Sequence, residues 1–219
     1  SNQYVDLMEK KHLQIESNII YENNHEFDNI YLTDNRIRYG LNDDLEIFSD
    51  IDLVYSKDQG YGLMPLGFGL KVNIKEETKY FPDISFLGSL QTSNISSKKF
   101  VMDNPLPMFT FIFQKQLGEK IGFEADYSMQ WLNQVLKPSH IFELAASYQL
   151  SDKISASLGL INFTNENDAT NFITEIGFSG DVNKNLSIAL EVGKYYDHID
   201  QNYYIGFGII KNFSLNIKQ

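Results

Sequence analysis

The feature that most constrains this chain is an alternation of apolar and polar residues, sustained over most of its 219 positions. Successive side chains of an extended strand point to opposite faces, so a period of two predicts half-buried β-strands. Residues 36–48, RIRYGLNDDLEIF, contain the unit in full. Ile37, Tyr39 and Leu41 share one face, with Arg36 and Arg38 on the other. Beyond the turn Asn42-Asp43-Asp44, the residues Leu45, Ile47, Ile51 and Leu53 share a face against Glu46, Asp50 and Asp52. Two such arms around an Asn/Asp turn predict a hairpin with one apolar and one charged face.

The pattern recurs along the chain. Leu13, Ile15, Ile19 and Tyr21 oppose His12, Gln14, Glu16 and Asn18, and Phe68, Leu70 and Val72 oppose Gly67, Gly69 and Lys71. Further on, the polar faces carry Glu124 and Asp126, then Glu143, Glu175 and Glu191. About twelve strands are expected, an even number, with no helix-period segment of useful length. GLNDDLE, QLGEKIG, QLSDKIS and DVNKNLS are one repeated device, an apolar residue, three polar turn residues and another apolar residue. Such a device fits tight hairpin connections. These turns alternate with longer polar connections such as 92–107 and 162–171. Short turns at one end and long loops at the other predict a single antiparallel, up-and-down transmembrane barrel. Residues 1–11 read as a short lead-in, 12–213 as the barrel and 214–219 as an extension.

Alternation alone does not say which face meets protein. A soluble ligand-binding β-barrel would turn its apolar face inward and stay in solution without detergent. Three features favour the opposite orientation. The apolar face is rich in Leu, Ile and Phe in every strand, more than a single core accommodates. The other face is largely Gly, Ser, Ala and Thr beside isolated acids, which suits a narrow lumen. Tyr21, Tyr39, Tyr55, Tyr127, Trp131, Tyr148 and Tyr203 gather near strand ends, as an interfacial girdle would. Lumen-lining charges are then Glu16, Arg36, Arg38, Glu46, Asp50, Asp52, Lys71, Glu124, Asp126, Glu143, Glu175 and Glu191. Acids outnumber bases in that set, so an open lumen would favour cations or neutral solutes. Arg38, Glu46 and Glu16 fall close together; an ion-pair network bracing the wall and a solute contact are both consistent with them.

Composition narrows the function. A net charge of −11 and a pI near 4.7 exclude nucleic-acid binding through phosphates. Cysteine is absent, which removes disulfide frameworks and thiolate metal sites. Mean hydropathy is −0.29, and no apolar run is long enough for a transmembrane helix. Barrel strands need only about 9–11 alternating residues to cross a membrane. The chain starts Ser1-Asn2-Gln3 with no visible signal peptide, as expected of a mature or trimmed protein.

LQIESNIIYE, RIRYGLNDDLEIF, GLMPLGFGLKVNI and PDISFLGSL together resemble a Gram-negative outer-membrane barrel family of transporters, the family of the meta-pathway of phenol degradation. The matching positions are Leu13-Gln14-Ile15-Glu16, Ile37 to Leu41 with Leu45-Glu46-Ile47, and Pro65 to Lys71. Phe48 stands where that family often has Arg, and residues 214–219 follow Phe213 where barrels usually end on an aromatic. The resemblance implies a porin-like barrel in the outer membrane, in contact with its lipid, that carries a small hydrophobic or aromatic solute. It gives no oligomeric state.

A third reading, an outer-membrane lipid hydrolase, needs Ser, His and an acid on one wall. The histidines are His12, His25, His140 and His198, and Ser139 adjoins His140. Neighbours in a strand face opposite ways, so that pair forms no dyad. No catalytic residue, cofactor site or metal constellation is expected. Gly67-Phe68-Gly69 and Gly206-Phe207-Gly208 lie within strands with no helix after them, so they are no nucleotide loops.

Overall fold

The computed structural model describes residues 7–23, 29–58, 60–131, 138–164, 170–196 and 202–215. The strands are β1 (His12–Asn23), β2 (Ile30–Asn42), β3 (Leu45–Asp50), β4 (Leu53–Ser56), β5 (Gly60–Leu63), β6 (Gly67–Lys75) and β7 (Asp83–Gln91). They continue with β8 (Leu106–Leu117), β9 (Ile121–Gln130), β10 (Ser139–Ser151), β11 (Ile154–Thr164), β12 (Thr170–Asn183), β13 (Leu186–Tyr196) and β14 (Tyr203–Ser214). All pairings between them are antiparallel, and β1 pairs with both β14 and β2, which closes the sheet. Since β4 prolongs β3 beyond Ile51 and Asp52, and β5 leads into β6, the fourteen strands form twelve staves. The β4–β5 hairpin rises past the rim, pairs with β2 and leans on the 3-10 turn Lys98–Phe100 of the β7–β8 connection. The expected loops 22–28, 133–139, 162–171 and 196–202 fall partly outside the described residues, as do the lead-in and the extension.

The repeated hairpin device explains the short-turn end. Asn42 Oδ1 accepts the Asp44 N–H at 2.8 Å, and Asn183 Oδ1 accepts the Asn185 N–H at 3.0 Å. Ser151 Oγ accepts the Lys153 N–H at 3.4 Å in the same way. A side chain that caps the backbone two residues on fixes a tight turn without help from the rest of the fold. Each of these turns adjoins a register shift, at Gly40/Asn42, Gln149/Ser151 and Asp181/Asn183. The expected three-residue turns are therefore two-residue turns beside a bulge. In the fourth turn Gly118 takes φ 69° and reverses the backbone with no side chain.

The apolar face looks out. Ile19 is 58 % exposed, Phe142 51 % and Leu158 59 %, while Glu16, Glu46 and Lys71 inside are at most 3 % exposed. A soluble barrel reverses this arrangement, so that reading is not favoured. Tyr203, Tyr21, Tyr31, Tyr55 and Tyr61 form a continuous outer row at the long-loop end, with successive ring centroids 6.3, 5.3, 6.1 and 4.4 Å apart. Trp131 and Phe109 form a separate pair of rings 6.0 Å apart. Among the described residues no helix is long and apolar enough to cross a membrane.

Candidate functional site: the barrel lumen

Arg38 is the hub of one wall. β2 and β3 are facing arms of one hairpin, so Arg38 and Glu46 lie diagonally across it, and β1 brings Gln14 opposite Arg38. Arg38 Nε and Nη2 donate to Glu46 Oε1 and Oε2 at 3.0 and 2.8 Å. Nη1 donates to Glu16 Oε1 at 3.0 Å and Gln14 Oε1 at 2.8 Å. The planar guanidinium matches a carboxylate in two-point geometry, which locks the rotamers of all three charges. One step toward the loops, Arg36 grips Asp50 in the same way, Nε to Oδ1 at 2.6 Å and Nη2 to Oδ2 at 3.0 Å. Asp52, at the kink after β3, accepts the Asn35 N–H at 2.7 Å and so closes a gap in the ladder.

Beside this network lies an apolar layer inside the lumen. Phe48, Leu87 and Ile112 are at most 4 % exposed and pack together with Met108. The Phe48 ring lies over Gly69, where a Cβ would stand 2.2 Å from its tip, and Arg36 stacks on it at 4.3 Å from the centroid. This layer departs from the inner face of small residues beside acids that the alternation predicts. The signal was available, since all three residues occupy the inward phase of the alternation. Lys71, 1 % exposed, stands beside it, between Glu46 and Leu87 in the register.

The opposite wall holds the other acids. Asp126 on β9 faces Glu143 on β10 directly in the register. Glu124 Oε2 accepts the Gln114 side-chain amide at 2.8 Å. Glu175 accepts the Tyr204 hydroxyl, and Glu191 lies over Gly206. The structure thus gathers Glu16, Arg38 and Glu46 in one contact group and Arg36 with Asp50 in a second. It sets Glu124, Asp126 and Glu143 on adjacent strands, and places Glu175 and Glu191 farther round the barrel.

Two cavities flank the filled middle. One of about 170 Å³ opens toward the long loops, lined by Asp34, Arg36, Asp50, Asp52 and the amides of Gln91 and Gln130. Another of about 300 Å³ lies toward the short turns, lined by Asp83, Ser85, Gln114, Glu124, Ser147 and Leu7 among others. They share no lining residue, and Arg38, Glu46, Phe48, Lys71, Leu87 and Ile112 line neither.

Ser139 is buried inward, whereas the partly exposed His140 shares a 2.8 Å hydrogen bond with Tyr127 on the outer face. His25 and His198 lie outside the described residues. Among the described residues no three His, Cys, Asp or Glu side chains converge as a metal site.

No family model and no curated protein matches this chain. Solved structures do. The COG4313 outer membrane channel from Pseudomonas putida F1 superposes with a TM-score of 0.75 at 12 % identity, over 97 % of this chain and 99 % of that one. A KdgM porin in complex with disordered oligogalacturonate gives 0.69 at 10 % identity, over 91 % and 99 %. The NanC porin gives 0.69 at 9 %, over 90 % and 98 %. The architecture implied by the resemblance to outer-membrane transporters, a closed barrel of twelve antiparallel staves, is the architecture these channels share with the chain.

Proposed function

We propose that this chain is an outer-membrane channel for small solutes with an apolar or aromatic body and a neutral or cationic polar group. The observation that carries this reading is the inversion of the barrel. Leu, Ile and Phe side chains cover its outside below a row of tyrosines at the long-loop end, while charges and cavities occupy its inside. Lipid is the solvent that makes such an outer face favourable, and a closed ladder leaves no strand edge unsatisfied within it. By the usual build of such barrels the short turns face the periplasm and the long loops the exterior.

The lumen supports the choice of solute. Five acids, Glu16, Glu46, Glu124, Asp126 and Glu175, are buried there against three bases, Arg36, Arg38 and Lys71. A negative excess in a low-dielectric passage attracts cations and repels anions. Phe48, Leu87, Ile112 and Met108 provide apolar contact between the two cavities. The similarity to porins and channels agrees with transport, and among the described residues Ser139 and His140 point to opposite faces of the barrel wall.

The experiment is solute flux into liposomes holding the purified protein. Benzylamine and benzyl alcohol should pass faster than benzoate, and a reversal potential in a salt gradient should favour potassium over chloride. Equal passage of benzoate would overturn the selectivity, and absence of flux for all three would overturn the channel reading.

A further inference from the structure

Just before β1 the chain turns back into the short-turn mouth. Lys11 has φ 63°, a left-handed conformation that a non-glycine residue adopts at a cost and that persists only where surroundings impose it. Its N–H donates to Gly40 O at 2.9 Å, and the His12 N–H donates to Glu9 O at 3.0 Å. Further in, the Met8 N–H donates to Glu46 Oε2 at 2.9 Å. That oxygen also receives Arg38 Nη2, so one carboxylate holds both the wall and the inserted segment. Met8 is 8 % exposed. Leu7 lines the 300 Å³ cavity together with Gln114, Glu124 and Ala145, which belong to β8, β9 and β10 rather than to the β2–β3 wall that holds Met8. The segment therefore reaches across the lumen. Gly40 makes room for it, since a Cβ there would stand 2.2 Å from Glu9 O and 2.5 Å from Met8 O.

We propose that residues 7–11 are an internal plug that closes the short-turn mouth of the lumen, latched by Glu46. The inference rests on the channel reading for its consequence, a low resting flux set by a small open fraction, but its geometry is independent of that reading. The plug adds no strand to the barrel; among the described residues it is held by the Met8 N–H on the Glu46 carboxylate, the Lys11 N–H on Gly40 O and the Leu215 N–H on Lys11 O. Losing one hydrogen bond to a charged group shifts an opening equilibrium roughly tenfold or more. Release leaves the Arg38–Glu46 fork intact, so the wall stands while the mouth opens.

The natural absence of cysteine makes the test direct. Ser85, 1 % exposed, lines the same cavity as Leu7. A Ser85→Cys protein in liposomes is exposed to a small maleimide, alone and combined with Gly40→Val or Met8→Pro. Gly40→Val crowds the segment out, and Met8→Pro removes the N–H that Glu46 accepts without touching a barrel strand. Heat-modifiable migration on a gel confirms the closed barrel in each variant. The expected result is labelling faster by roughly tenfold in both double variants, from the lost hydrogen bond, with solute flux raised in parallel. Unchanged labelling in the folded Met8→Pro variant overturns the plug, whatever the flux. Faster labelling with no flux in any variant upholds the plug and overturns the channel reading.

Discussion

On the β1–β3 side of the lumen, Glu16, Glu46 and Asp50 each accept hydrogen bonds from a guanidinium, within 2.6–3.0 Å. On the β9–β14 side, Glu124 accepts from the Gln114 amide and Glu175 from the Tyr204 hydroxyl. Both arginines of the sequence stand on β2, and that accident of placement divides the barrel. A guanidinium keeps its charge at any working pH and fixes its partners by a fork, so the first wall is rigid and much of its negative charge is offset. Amide and hydroxyl donors satisfy a carboxylate without neutralising it, so negative potential accumulates along the second wall. A cation crossing the lumen would follow that second wall.

The contrast breaks most severely at Arg38. Arg38→Ala strands Glu16 and Glu46 as buried carboxylates, and removing one partner of a buried pair costs about 3–5 kcal/mol. Urea unfolding in detergent should show that loss, whereas a Glu16→Gln, Arg38→Met, Glu46→Gln triple variant should recover most of it. A single variant as stable as the parent would mean that the network is solvated and the first wall is not built as described.

Phe48→Ala comes next, because it empties the layer between the cavities. Truncating a buried Phe costs about 3 kcal/mol or more, and here it also uncovers Gly69 and the face on which Arg36 stacks. Single-channel conductance should rise as the two cavities join. Unchanged conductance would place the constriction elsewhere.

How much of this can be read in the sequence follows from which contacts are local. The barrel and its inverted faces are legible because period two is a property of each strand by itself, and the hairpin turns are legible because Asn42, Ser151 and Asn183 cap their own backbone. The Arg38–Glu46 contact is nearly local, since one hairpin sets it. Asp126 and Glu143 stand on strands joined by none of the capped turns, so only the full register brings the two together. The Phe48–Leu87–Ile112 layer gathers residues from three strands, and the alternation assigns each to a face without saying that they meet.

A smaller change tests the second wall. Tyr204→Phe deletes the hydroxyl that Glu175 accepts and leaves the ring packed over Gly193. A hydrogen bond to a charged group is worth about 1.5–3 kcal/mol when its partner stays buried. Unfolding should shift by less than for Arg38→Ala, and the preference for potassium should not fall, since the neutral donor never cancelled the charge. A fall in cation selectivity comparable to that of Glu175→Gln would mean that Tyr204 tunes the potential as well as the packing.

The smallest effect lies at the short-turn rim, where a lysine stands in for the guanidinium. Lys115 Nζ donates to Glu77 Oε1 at 2.9 Å and to the carbonyls of Thr78 and Phe81, and the Gln116 N–H donates to Glu77 Oε2 at 3.1 Å. The Lys115 hydrogen bond first, and the Gln116 N–H after it, hold the Glu77 carboxyl below the usual glutamate value of 4.5. A group whose folded value is depressed contributes stability in full above its unfolded value and loses it as pH falls through the folded one. Glu77→Gln should therefore lower the unfolding midpoint slightly at neutral pH and flatten its decline below the usual glutamate value, so that the two proteins converge in acid. The pair is solvent-exposed, so raised salt should shrink the difference. An acid limb with the same slope in both proteins would mean that this rim contact, unlike the two forks inside, does not order the turn that it crosses.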